Sequence, residues 1–240
     1  MRVKAVIAYD GAFFRGFQQQ KDTKNTVTTA IQDALFSIGI LSPIRGSGRT
    51  DRGVHASNQV IDFELPLFWQ DLVKLKEVLN KKLKYIHIKH ISKVDNNFHA
   101  RFSAKKRVYR YIFKTTTPSI FEARYISYYK PFDKSKLQES LELFVGEHDF
   151  SNFIKTGSIT HTNIRTIYRA FYKQYHNYHI IYFEANGFLR SQVRMMIEVS
   201  MSVAQNRLTI QQQLEQLKLQ NRHSTRLAPP EGLYLARVVY

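Results

Sequence analysis

Gly48-Arg49-Thr50-Asp51-Arg52-Gly53-Val54-His55 holds one acid with an arginine two residues before it and another immediately after, in a segment with glycines at 46, 48 and 53. Beyond it, Gln59, Ile61 and Phe63 alternate with Val60, Asp62 and Glu64, the period-two pattern of a strand from Gln59 to Glu64. Before it, Thr26 can cap a helix whose apolar positions Val27, Ala30, Ile31, Ala34, Leu35 and Ile38 keep helical spacing, with Gly39 as its stop. Asp51 is therefore expected in a loop just before a strand.

Outward from this loop, Arg2 to Tyr9 reads as a buried strand running into Asp10-Gly11, and Phe13, Phe14, Gly16 and Phe17 make a loop too aromatic for an ordinary connector. Something packs on that loop or binds it. Leu72, Leu75, Leu79 and Leu83 mark a second helix, Tyr85 to Val94 a strand, and Val108 to Phe113 another with Tyr109, Tyr111 and Phe113 on one face. A helix with Leu137, Leu141, Phe144 and Val145 is expected to end at Gly146. A hairpin follows at about Ile164 to Gln174 and Tyr178 to Ala185, then a helix from about Leu189 with the stripe Val193, Met196, Ile197, Val203 and Ala204. A short helix around Ile210, Leu214 and Leu217 and a strand from Leu233 to Tyr240 close the chain. With no residue-level repeat and no long Gly/Ser linker, the element count predicts an α+β chain of two domains, 1–103 and 104–240. Each is expected to be a mixed or antiparallel sheet with helices on one face, the two sharing a central cleft.

Lysine and arginine outnumber aspartate and glutamate by 36 to 19, a formal net charge of +17 over 240 residues. Such a field attracts polyanions, so nucleic acid is the default partner and an acidic membrane surface the next. No apolar run approaches the roughly 20 residues of a membrane span, and Met1 to Tyr9 lacks a signal peptide's layout. With no cysteine, disulfides, thiolate nucleophiles and cysteine-based zinc sites are excluded, which fits a reducing cytosol. Gly48 and Gly53 have the glycine spacing of a phosphate-binding loop, but Val54 and His55 stand where lysine and serine or threonine are required. A dinucleotide fingerprint from Gly46 would need glycine at Asp51. The nine histidines show no helical pair at metal spacing, and His55 has no obvious companion, so neither a nucleotide cofactor nor a metal is implied.

Asp51 has two readings on local sequence. It is a turn residue accepting backbone hydrogen bonds, or a carboxylate held ionised by Arg49 and Arg52 that can serve as nucleophile or electrostatic stabiliser at a sugar carbon. The arginines suit phosphate contacts equally well. From Arg101 to Lys114, Arg101, Lys105, Lys106, Arg107, Arg110 and Lys114 interleave with Phe102, Tyr109, Tyr111 and Phe113. Basic groups neutralise phosphates while rings stack on an extruded base. Tyr111 and Phe113 read as core, Tyr109 as the ring at the mouth of a site. Arg190 and Arg194, four apart in a helix opening, form either a phosphate or carboxylate clamp or solvated helix surface.

Five segments in register resemble the TruA family of tRNA pseudouridine synthases nearly end to end. They are Tyr9-Asp10-Gly11 through Gly16 to Gln20, Gly48 to Ala56, Phe98 to Ala104, Asn186 to Leu189 with Val193-Arg194, and Glu231 to Leu235. The resemblance implies a catalytic nucleophile at Asp51, Tyr109 against the target base, and Arg49 and Arg194 in the same pocket. It also implies a cytoplasmic homodimer, acting without cofactor or metal on uridines 38 to 40 of the tRNA anticodon arm. Three positions depart from the family pattern: Arg52 where alanine is usual, Phe17 where tryptophan is common, and Gln192 where methionine is common. Arg52 puts a second charge beside the acid. The competing classes are a non-catalytic RNA-binding protein, and a metal-dependent nuclease built on Asp10, Asp51 and Asp62, which lack persuasive spacing.

Overall fold

The computed structural model describes residues 1–158 and 160–240. Its contacts divide the chain into two compact units, one of residues 1–105 with 234–240 and one of residues 106–233. The architecture is α+β, and among the described residues no helix is long and apolar enough to cross a membrane.

The first unit runs β1 (Arg2–Tyr9), α1 (Val27–Phe36), β2 (Arg45–Gly46), β3 (His55–Glu64), α2 (Leu72–Lys82) and β4 (Ile86–Lys93). In β1, Val3, Ala5, Ile7 and Tyr9 turn inward on alternate positions, which makes the segment a strand and fixes its register. It pairs antiparallel with β3 (Ala5 opposite Ile61) and with β4 (Ala5 opposite Ile91). Thr26 caps α1 by accepting the Thr29 N–H at 3.2 Å, as expected, but the helix stops at Phe36, ahead of Ile38. Asp71 caps α2, and Asn80 exchanges hydrogen bonds with the backbone of Ile88, tying α2 to β4.

β3 begins at His55, four residues before the alternation at Gln59 to Glu64 becomes legible. Two polar positions within that alternation are buried inside the sheet. Gln59 and Asp62 are fully buried, and a buried polar group must be hydrogen-bonded. Asp62 accepts from Arg45 Nε at 2.9 Å and from the Ala100 N–H at 2.7 Å, with Arg2 at 3.6 Å. Burial raises its pKa, against the lowering effect of the Ala100 N–H.

The second unit runs β5 (Lys106–Lys114), β6 (Ser127–Tyr128), α3 (Lys134–Glu142), β7 (Gly146–Asp149), β8 (Ile164–Tyr175), β9 (Tyr178–Ala185), α4 (Gln192–Ala204) and α5 (Ile210–Leu217). β5, β9, β8 and β7 pair antiparallel in that order, and β6 adds to β5 in parallel. The hairpin of β8 and β9 lies where its alternation placed it. Gly146 does not end a helix: α3 stops at Glu142, and Gly146, at φ +111, opens β7. α4 is buried at every position except Arg194, not on one stripe. Its polar residues are satisfied inside, Ser200 by Ser140 and Glu198 by Tyr129 and Arg207.

The last strand, β10 (Leu233–Val239), pairs parallel with β3 at Tyr234 opposite His55 and Leu235 opposite Ala56. Lys105 N–H donates to Val239 O at 2.8 Å and Tyr240 OH to Ala100 O at 2.7 Å. Residues 234–240 therefore belong with the first unit, where the sequence reading had assigned them to a contiguous second domain from 104. Chain order hides this because the pairing spans nearly the whole sequence.

Glu122 anchors the segment between β5 and β6. Lys114 Nζ lies 2.5 Å from it, Tyr178 OH donates at 2.9 Å, and the Ser119 N–H donates at 3.1 Å. These partners, Lys114 foremost, lower the Glu122 pKa to about 2. A carboxyl depressed on folding adds stability above its unfolded pKa and loses it as pH falls through the folded value. Glu122→Gln is accordingly expected to lower the melting temperature at neutral pH, and calorimetry should show its gap to wild type closing as pH falls from about 4.5 toward 2.

Candidate active site

Residues 47–54 connect β2 to β3, and both ends of this loop are held from below. Ser47 N–H donates to Val60 O at 2.8 Å, and the buried Gln59 side chain donates to Gly48 O at 2.8 Å while accepting from Ser47 Oγ. Thr50 is buried with its Oγ1 2.7 Å from Tyr9 OH, and its carbonyl accepts the Phe17 N–H at 3.1 Å. Val54 N–H then bonds Asp51 O at 3.1 Å, closing a turn in which Gly53 takes φ +79.

The aromatic segment after β1 packs on this loop, which accounts for its composition. A Cβ on Gly11 would lie 2.1 Å from Val54 O, and one on Gly46 would lie 2.3 Å from the Phe17 ring. Phe17 thus fills its position closely, so the departure from tryptophan there leaves the loop supported. Gly11 N–H donates to His55 Nδ1 at 3.1 Å, Asp10 Oδ1 lies 3.3 Å from the same nitrogen, and the buried imidazole stacks on Tyr234 at 4.8 Å. His55, which sequence left without a companion, is a pin joining three segments.

Asp51 sits half-buried at the crest of this support, between exposed Arg49 and Arg52. Neither arginine is ion-paired among the described residues, so they flank the acid as exposed cations suited to phosphate. A carboxylate whose backbone is fixed on both sides can meet a substrate atom without the loop having to reorganise. The other candidate acids have different duties. Asp62 is spent on Arg45, Arg2 and Ala100, Asp10 accepts the Ala12 N–H at 3.0 Å beside His55, and among the described residues no group of three His, Asp or Glu gathers as a metal site.

In the second unit Tyr109 lies on the inward face of β5 with Tyr111 and Phe113, and it retains 8% exposure where they have none. Its ring meets Phe188 edge-on at 5.2 Å. Arg194 stands in the first turn of α4, where its Nε donates to Ala228 O at 2.7 Å and its carbonyl accepts the Ala228 N–H at 3.1 Å. The expected pair of arginines on one helical face does not form. Ser191 takes φ +61 ahead of α4, leaving Arg190 outside the helix and exposed. Gln192, where methionine was expected, is fully buried and accepts the Leu189 N–H at 2.7 Å, so the polar side chain stabilises that entry. Asp51 and Arg49 therefore share one loop of the first unit, and Tyr109 and Arg194 stand on separate elements of the second.

Sequence reasoning missed Tyr9, Gln59 and His55 as supports of the loop. Gln59 and His55 carried no signal beyond being polar in a strand, and Tyr9 none beyond ending one. The close approach at Gly11 gives a direct check. Gly11→Ala is expected to cost about 1–3 kcal/mol in urea unfolding by forcing the two loops apart, whereas Gly48→Ala, with nothing within 4 Å of its added carbon, should stay within about 0.5 kcal/mol of wild type.

Comparison with known proteins bears on this geometry. A family profile described as tRNA pseudouridine synthase matches residues 5–103 and 141–240. The tRNA pseudouridine synthase A of Wolinella succinogenes is 40% identical over 237 residues, covering 98% of this chain and 93% of that protein. That of Helicobacter hepaticus is 41% identical over 243 residues, covering 99% and 98% respectively. That of Campylobacter jejuni is 39% identical over 241 residues, covering all of both chains.

Proposed function

The chain belongs to the tRNA pseudouridine synthase family, and on that premise we propose that it isomerises uridine to pseudouridine at positions 38 to 40 of the tRNA anticodon arm, with Asp51 as nucleophile. The observation carrying this reading is the acid loop itself, one half-buried carboxylate fixed by Thr50, Gly53 and Gly11 and flanked by two exposed arginines.

The reaction breaks the bond from N1 of uracil to C1′ of the ribose, turns the base, and forms a bond from C5 to C1′. The C5 proton leaves and N1 regains one, so nothing is oxidised, reduced or consumed. Attack at C1′, addition at C6 of the base and removal of a ribose proton all require an ionised carboxylate at the substrate, which is the role given to Asp51. Tyr109 is assigned to lie against the uracil, and Arg194 and Arg49 to hold the same nucleotide. The first unit supplies the acid loop with Asp51 and Arg49, and the second supplies Tyr109 and Arg194. The enzyme is taken to work as a homodimer in the cytoplasm, as its family resemblance implies.

Reaching a uridine in a stem requires unstacking it, at a cost of a few kcal/mol. Phosphate contacts from a chain of net charge +17 offset that cost. Asp51→Asn should abolish pseudouridine formation on unmodified tRNA, mapped in the presence of a chelator, while leaving tRNA affinity unchanged. Full turnover by that variant, or cleavage of the tRNA, overturns the assignment. Affinity measured against salt should fall steeply, by about a thousandfold or more between 50 and 200 mM if six or more phosphates are engaged. A flat dependence would rule out broad backbone contact.

A further inference from the structure

Tyr85, immediately before β4, takes a left-handed backbone conformation, φ +65. A bulky aromatic residue is rarely found there, and such a conformation persists only where its surroundings impose it. Here they do. Tyr85 O accepts the Asp10 N–H at 3.0 Å, and its ring lies on that of Phe13 with centroids 3.5 Å apart and planes 5° from parallel. Two rings left to themselves prefer an offset or edge-on arrangement at 4.5–7 Å over a near-sandwich. Glycine or asparagine would make the same turn at lower cost, so the turn does not explain the tyrosine. What the tyrosine supplies is an aromatic ring on a residue 41% exposed overall, with Phe13 stacked on it and the Lys84 ammonium over it.

The ring is joined to the segment that packs on the acid loop, and lysines surround it. Phe13 and Asp10 belong to the segment whose Gly11 packs on Val54 and bonds His55. Lys84 Nζ stands 5.1 Å from the Tyr85 centroid, and Lys81 and Lys82 are exposed at the end of α2. A π-face beside ammonium groups matches a nucleotide, whose base stacks while its phosphate pairs with lysine.

We propose that Phe13 and Tyr85 form a stacking subsite for one unpaired base of the RNA substrate, flanking the reacting uridine, with Lys84 moving from the ring to that nucleotide's phosphate. The inference rests on the proposed reading of the substrate as tRNA. Glycine adopts φ +65 freely, so Tyr85→Gly removes the ring while keeping the turn.

The expected result for Tyr85→Gly is a KM and a dissociation constant for unmodified tRNA raised about tenfold, with kcat within about twofold, as for the loss of one base–ring stack. Tyr85→Phe should behave as wild type. In Tyr85→Trp, tRNA should quench indole emission beyond the change seen for Trp69 in wild type. Wild-type affinity in Tyr85→Gly, or no added quenching in Tyr85→Trp, shows that the two rings serve only to hold the loop and overturns the subsite. Binding is read without turnover. A wild-type protein that makes no pseudouridine, yet loses tRNA affinity on Tyr85→Gly, would sink the catalytic reading and keep this one.

Discussion

Gly11 can lie against the Val54 carbonyl only because it has no Cβ, and its N–H at that distance reaches His55 Nδ1. This one close approach locks the segment after β1 to the turn that carries Asp51. Neighbouring contacts support the same loop. Thr50 buries its hydroxyl against Tyr9, Phe17 seats its ring over Gly46, and the chain entering β3 is aimed at β10. Loosening the approach removes the support under Val54 and leaves the bonds from Gln59, Val60, Tyr9 and Phe17 to hold the rest of the loop.

Such a lock suits an isomerisation that uses no external reagent. With all atoms conserved, the protein's contribution is to hold a carboxylate, admit one nucleotide and exclude the water that would trap a detached base. The supports of Asp51 are accordingly buried and uncharged or neutralised, whereas Arg49 and Arg52 remain exposed. A net charge of +17 sets a field that reaches further than the contacts around Asp51.

Much of this was legible in residue order. The inward alternation of β1, the Thr26 cap of α1, the hairpin of β8 and β9 and the inward face of β5 follow from periods and caps that act within a few residues. Asp51 was legible as a loop acid because glycines and arginines surround it. Where the reading failed, a distant partner had overruled a local pattern. The apolar stripe expected for α4 gives way to burial all round, because Tyr129 and Ser140 satisfy Glu198 and Ser200, as Ser47 and Arg45 satisfy buried Gln59 and Asp62. Arg190 looked helical until the left-handed turn at Ser191 placed it outside α4.

By itself, then, the sequence determined the α+β class, the absence of thiols, the excess of positive charge and the place of Asp51 in a loop between arginines. Those depend on composition, on short periods and on motifs whose residues are neighbours in the chain. Only the tertiary structure decided that the last strand joins the first unit, that His55 is a pin and not a stray imidazole, and that Tyr85 is forced flat against Phe13. Each of these depends on hydrogen bonds and ring contacts between segments tens to nearly two hundred residues apart, for which local propensity carries no signal.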